Sequence, residues 1–154
     1  MFKMILVPLD GSRDGARAVA LAGEIAQKFD AQVLLLRVVP RAAIAVAPGA
    51  GPEAASAGTL AIESAQEQER AGKAAASEYL AGHRKVLQDL GVRVSAEVEV
   101  GDPARTIMQV ARQEKADLIV MTTRGRTGLR RTLLGSVADE VVRAAIAPVL
   151  VVRR

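Results

Sequence analysis

Met121-Thr-Thr-Arg-Gly125-Arg-Thr-Gly128-Leu-Arg-Arg-Thr-Leu-Leu-Gly135-Ser136 runs from the end of an apolar strand, through an arginine-rich glycine loop, into the start of a helix. A strand that hands over to a helix in this way is one βα unit. Its loop has the grammar of a phosphate cradle. Glycines let the backbone turn N–H groups toward an anion, and a helix opening at Ser136 offers further unpaired N–H groups at the positive end of a dipole. Arg124, Arg126, Arg130 and Arg131 crowd the same loop, which contains no acid. The stretch predicts a bound nucleotide.

The same unit recurs on both sides of it. Short continuous apolar runs, the pattern of parallel strands covered on both faces, predict strands at Lys3–Leu9, Gln32–Val38, Arg93–Val100, Asp117–Thr122 and Pro148–Val152. The third alternates Val94, Ala96, Val98 and Val100 with polar residues, which points to an edge position or a half-exposed face. Helices fall between the strands. The first, about Asp14–Phe29, carries a small-residue stripe of Ala16, Val19, Ala20, Gly23 and Ala26 suited to close packing on a sheet. The second, about Leu60–Leu90, stops at the C-cap residue Gly91 and is long enough to predict an irregular first half. Asp102-Pro103, an N-cap acid before a proline at the first helical position, opens the third, with Ala104, Ile107, Met108 and Ala111 on one face. The fourth begins at Ser136 and ends before Ala147-Pro148, with Val137, Val141 and Ala144 inward.

Alternating βα units of this size imply an α/β fold: an open parallel sheet with helices on both faces and ligands beyond the carboxyl ends of its strands, where strand order reverses. The Pro/Gly/Ala-rich stretch from Pro40 to Thr59 leaves the carboxyl end of the second strand and is too long for an ordinary connection, so it is expected to be a lid or a flexible loop. The whole chain, 1–154, is expected to form one domain, large enough to bury roughly 68 to 70 per cent of its unfolded surface.

Composition removes several classes of function. With no Cys and a single histidine, His83, there is no thiolate nucleophile, disulfide framework or Cys-ligated zinc. The opening run from Met4 to Leu9 is far shorter than a membrane span and carries no signal-cleavage pattern, so a cytoplasmic protein without membrane contact is expected. A net charge of +4 and an aromatic content of only 2% argue against nucleic acid, because base-stacking platforms need more aromatic rings.

Three stretches together resemble the universal stress protein family across essentially the whole chain: Ile5-Leu-Val-Pro-Leu-Asp10-Gly-Ser12, Gly125 followed after nine residues by Gly135-Ser136, and Ala147-Pro-Val-Leu-Val-Val152. The nucleotide-binding branch of that family has glycine, two residues, glycine, nine residues, glycine, then serine or threonine. Gly125, Gly135 and Ser136 match, whereas the first glycine position falls on Thr122, which brings a Cβ where the pattern has none. The resemblance implies a Rossmann-like, doubly wound five-stranded sheet of order 3-2-1-4-5 and a homodimer formed through the last strand. It also implies ATP, with or without Mg2+, as a regulatory ligand in stress response rather than a metabolic substrate. It carries Asp10 over as the ribose-side residue and Val38 as the position whose backbone reads adenine. Pro8, Leu9, Met121, Thr122, Arg124, Gly125, Gly135, Ser136 and Val137 complete the expected nucleotide site.

Each of these residues also has a plainer reading. Gly125 and Gly135 serve as turn and helix-start glycines in many proteins. Ser136-Val-Ala-Asp139 is a short-acid variant of the capping box, so the hydroxyl has a capping role open to it. Asp10 before Gly11-Ser12 suits an Asx turn, besides accepting ribose hydroxyls or holding magnesium through water. The arginines form a solvated face in most such loops, with Arg124, beside Gly125, the best placed for phosphate. His83 recurs at helical spacing with Ala76, Leu80, Leu87 and Leu90, as a partly buried structural histidine would, and Glu97 and Glu99 read as strand-surface charges. The short apolar strand Pro148–Val152 is an edge, guarded only by Arg153 and Arg154, that a second copy would cover. No general base or metal cage stands out, so the expected protein is not an enzyme, and hydrolysis, if any, is slow. The rival expectation is a nucleotide-free stress protein whose arginine loop recruits an acidic protein partner.

Overall fold

Apolar runs with no polar partner for their backbone groups pair with one another. In the computed structural model, which describes residues 1–44, 52–123, 135–144 and 146–153, they form one parallel sheet. The elements are β1 (Met4–Leu9), α1 (Gly15–Phe29), β2 (Gln32–Val39), α2 (Pro52–Asp89), β3 (Arg93–Val100), α3 (Pro103–Gln113), β4 (Leu118–Thr122), α4 (Ser136–Ala144) and β5 (Val149–Val152). Strand order is β3-β2-β1-β4-β5, the doubly wound order the resemblance implies. β3 lies at an edge, in keeping with its half-polar alternation. The register runs Leu6 to Leu34 between β1 and β2, Ile5 to Leu118 between β1 and β4, and Met121 to Val151 between β4 and β5.

Because side chains alternate across a strand, the sheet divides its core in two. Ile5, Val7, Val33, Leu35 and Val120 face α1 and α2, meeting Ala18, Ala22, Leu80 and Leu87. Leu6, Leu34, Leu36, Val38, Ile119 and Met121 face α3 and α4, meeting Ala104, Ile107, Val110, Ala138 and Val141.

Helix ends follow local chemistry. Asp102 caps α3, its Oδ1 accepting the Arg105 N–H at 3.0 Å with Pro103 next in the chain. α2 ends where Gly91 takes φ +76° and the Val92 N–H reaches the Leu87 carbonyl at 3.0 Å, a Schellman closure.

Several expectations change. α2 is one continuous helix from Pro52, so its first half is not irregular and the expected loop at about 40–59 gives way to helix for its last eight positions. The Ala/Gly-rich composition there reads as loop only until Pro52 is recognised as a first-turn proline. In α1, Ala18 and Ala22 turn inward while Ala16 and Ala20 face solvent. Alanine stands on both flanks of the Val19, Gly23, Ala26 line, so composition alone leaves the rotation open. In α3, Val110 is buried and Met108 only half-buried, and Ala144 of α4 is exposed.

Candidate functional site

The carboxyl ends of β1, β2 and β4 stop beside the amino ends of α3 and α4. Between them lies a cavity of about 380 Å3 lined by Pro8, Leu9, Asp10, Leu36, Arg37, Val38, Pro40, Pro103, Ile107, Met121, Thr122 and Gly135 through Ala138. This is the point where the order of the sheet reverses. Every candidate among the described residues lines it: Pro8, Leu9, Asp10, Val38, Met121, Thr122, Gly135, Ser136 and Val137. Arg124 and Gly125 lie outside the described residues, as do Arg126, Gly128, Arg130 and Arg131.

One wall is aliphatic, made by Leu36, Val38, Ile107 and Met121, and is continuous with the core under α3 and α4. The opposite rim is polar. Asp10 Oδ1 accepts the Ser12 N–H at 2.9 Å, the Asx turn that Asp10-Gly11-Ser12 suggests, and Gly11 takes φ +81° to complete it. Arg37, not singled out from sequence, extends from β2 across the end of β1 and donates through Nη1 to the carbonyls of Val38 at 3.2 Å and Leu9 at 3.4 Å. Sequence reasoning misses Pro40, Pro103 and Ile107 as well. The signal for Arg37 is a cation interrupting an otherwise apolar strand. Pro103 and Ile107 read from sequence only as helix start and core.

At α4 the plainer reading of Ser136 fails. The Gly135 carbonyl accepts the Asp139 N–H at 2.9 Å, so Gly135 holds the N-cap position and Ser136 is the first helical residue. The Asp139 carboxylate pairs with Arg143 Nε at 2.7 Å instead of reaching back to the helix start. A capping box centred on Ser136 is excluded, and its exposed side chain stands at the mouth of the cavity among the first N–H groups of the helix. A Cβ built on Gly135 meets nothing within 4 Å among the described residues.

Tyr79 of α2 donates to the Ser12 carbonyl at 2.8 Å. Burial, and then the Asp10 charge, raise its pKa against the opposing pull of Arg37, so the phenol stays a donor. His83 packs edge-on against Tyr79 at 4.7 Å, and burial lowers its pKa, in line with a structural histidine. Burial, then Glu114 and Glu99, raise the pKa of Glu97, which lies on β3 outside the cavity lining. Among the described residues no three His, Cys, Asp or Glu side chains gather to hold a metal ion. A magnesium ion carried by phosphates and reached by Asp10 through water is compatible with that donor set. No helix among the described residues is long and apolar enough to cross a membrane.

Sheet order, crevice and glycine–serine helix start define a doubly wound α/β protein with a ligand-sized hollow at its switch point. The chain belongs to the universal stress protein family, which it matches over residues 1–153. It is 39% identical to Universal stress protein MJ0531 of Methanocaldococcus jannaschii over 154 residues, covering 100% of this chain and 84% of that one. It is 31% identical to a putative universal stress protein of Staphylococcus epidermidis, covering 99% and 84%. Among solved structures, MJ0577 superposes with a TM-score of 0.78 at 29% identity over 100% of this chain and 97% of that one. A universal stress protein solved in complex with cAMP superposes with a TM-score of 0.71 over 99% and 97%; at 24% identity that likeness concerns the fold.

Proposed function

We propose that this protein holds an adenine nucleotide, ATP in the first instance, as a regulatory ligand in stress response. The observation that supports it most is the meeting, in one cavity, of an aliphatic wall, the Asp10 carboxylate and the opening of α4 at Gly135-Ser136. Adenine lies against Val38, Leu36, Ile107 and Met121, ribose beside Asp10, and the phosphates run toward Gly135 and Ser136, with Arg124 and Gly125 as the further contacts expected from the sequence. A cavity of about 380 Å3 is within the usual size range for small-molecule sites. The helix dipole contributes roughly 0.3 to 2 kcal/mol to phosphate binding, so backbone donors and arginines supply most of the affinity.

The nucleotide acts as ligand rather than substrate. Asp10 is the one carboxylate among the described lining residues, and its Oδ1 is engaged by the Ser12 amide. Isothermal titration with ATP and magnesium tests the reading, and absence of heat at millimolar ligand rejects it. The protein works as a cytoplasmic homodimer paired through β5, whose half-buried edge residues a second copy covers. Sedimentation velocity showing only monomer at micromolar concentration rejects that arrangement.

Thr122, at the cavity wall where the family's nucleotide branch has glycine, favours a second reading: a nucleotide-free protein working through protein contacts. That reading gains if Gly135→Asp leaves stress survival unchanged while charge reversal at Arg130 and Arg131 abolishes it.

A further inference from the structure

The ribose-side carboxylate does not stand alone. Ser12 is gripped from both sides: its N–H donates to Asp10 Oδ1 at 2.9 Å, and its carbonyl accepts the Tyr79 hydroxyl at 2.8 Å. Tyr79 belongs to α2, on the face of the sheet opposite α3 and α4, and reaches the cavity rim only because the first residue of α1 lacks a side chain. A Cβ on Gly15 would lie 2.5 Å from the Tyr79 hydroxyl oxygen. The phenol ring is fixed in turn by its edge-on contact with His83, one helical turn further along α2. From the other side the Arg37 guanidinium covers the turn, and a Cβ on Gly11 would come 3.3 Å from its Nη2. Two glycines thus leave room for two long side chains to brace one three-residue turn.

We infer that Tyr79 is a positioning residue for ribose recognition, acting through the main chain on either side of the Ser12 Cα to help hold the Asp10 carboxylate at the cavity rim, with Gly15 as the slot that admits its hydroxyl. The inference rests on the reading of Asp10 as the ribose-side group. Without the Tyr79 hydroxyl the Ser12 carbonyl keeps the longer bond from the Gly15 N–H, at 3.3 Å, and the Ser12 main chain is held less tightly. The Ser12 N–H, in the preceding peptide group, then shifts against Asp10 Oδ1, and the carboxylate is less firmly oriented toward the ribose hydroxyls. The base wall and the start of α4 are untouched by that change. A Tyr79 defect is therefore confined to the sugar, whereas a merely structural role for Tyr79 would weaken all nucleotides alike.

The experiment titrates ATP and 2′,3′-dideoxy-ATP into the unsubstituted protein, Tyr79→Phe and Gly15→Ala. Gly82→Ala is the control, since a Cβ there meets nothing within 4 Å. Loss of one positioned hydrogen bond predicts ATP binding about three- to tenfold weaker in Tyr79→Phe, with the dideoxy analogue changed by less than about twofold. Gly15→Ala reproduces that pattern and Gly82→Ala changes neither affinity. Thermal melts accompany each titration, and Tyr79→Phe, which keeps the ring, decides the matter if Gly15→Ala does not fold. Equal weakening of both nucleotides, or undiminished ATP binding, in Tyr79→Phe overturns the positioning role and leaves the nucleotide reading standing. Absence of ATP binding by the unsubstituted protein overturns the nucleotide reading itself, and this role with it.

Discussion

Gly135→Asp separates the cradle from the helix it opens, because it moves stability and ligand affinity in opposite directions. Gly135 holds the N-cap position of α4, with its carbonyl accepting the Asp139 N–H at 2.9 Å, and a Cβ there meets nothing within 4 Å among the described residues. Aspartate ranks above glycine as an N-cap by a few tenths of a kcal/mol, and a carboxylate at the helix start gains a similar amount from the dipole, about 0.5 kcal/mol together. With an unfolding entropy of about 2.1 cal/mol/K per residue, a chain of 154 residues gains roughly 1 to 2 °C in Tm. For the ligand the sign reverses. A carboxylate about 5 Å from one phosphate charge, at an effective dielectric near 20, costs about 3 kcal/mol, which is more than a hundredfold in affinity. Differential scanning fluorimetry reads the first effect and isothermal titration with Mg-ATP the second. A variant whose Tm is unchanged or raised and which still binds ATP within about threefold of the original refutes phosphate placement at Gly135. A Tm lowered by more than about 3 °C refutes the open space at its Cβ.

Asp102→Ala removes the cap on α3 and is expected to cost about 1 kcal/mol, or roughly 3 °C in Tm, with a smaller loss of ATP affinity because Pro103 and Ile107 of that helix line the cavity. A melt unchanged within about 1 °C would sink it. Leu87→Ala empties a fully buried position under α1 and α2 and is expected to cost about 2 to 5 kcal/mol by chemical denaturation without altering the binding stoichiometry of the folded protein. Asp117, at the amino ends of the strands, accepts the Lys3 and Met4 amides at 2.7 and 3.0 Å, and these bonds hold its pKa below the ordinary aspartate value. A depressed folded-state pKa means that its contribution is complete above the unfolded value and is lost as pH falls through the folded one. Asp117→Asn should therefore lower Tm near pH 7, with the gap to the parent closing below about pH 4 and ATP affinity unchanged at neutral pH. A gap independent of pH contradicts that account.

The sheet was legible because parallel strands covered on both faces leave a blunt mark, runs such as Val33 through Leu36 that no surface segment tolerates. The α3 start was equally plain, since Asp102 and Pro103 act within three residues of themselves. What sequence could not supply was anything settled by rotation or by distance along the chain. The inward face of α1 is ambiguous between alanines on either side of one line, and only packing against Leu80 and Leu87 decides it. Ser136 resembles a cap because serine commonly is one, yet the first helical bond begins one residue earlier, at Gly135. Tyr79 meeting Ser12 joins residues from α2 and the β1–α1 turn, and no local pattern in either segment announces the other.

The crevice draws its chemistry from both sides of a sheet that otherwise keeps its two cores apart. Its aliphatic wall is the end of the layer under α3 and α4, where Leu36, Val38, Ile107 and Met121 run out toward the strand tips. Its polar rim is organised from the other layer, by Arg37 one residue out of phase with Val38 and by Tyr79 from α2. β2 can serve both because successive side chains point to opposite faces: Val38 turns to the aliphatic wall and Arg37 to the turn at Asp10. Polar groups on the aliphatic layer under α3 and α4 would have to be desolvated against apolar neighbours, at a cost of about 1 to 3 kcal/mol each without a partner. Reaching the rim from the opposite layer avoids that cost, and in the proposed arrangement the α1–α2 face, which touches neither base nor phosphate, is the part of the molecule that would set how the sugar is read.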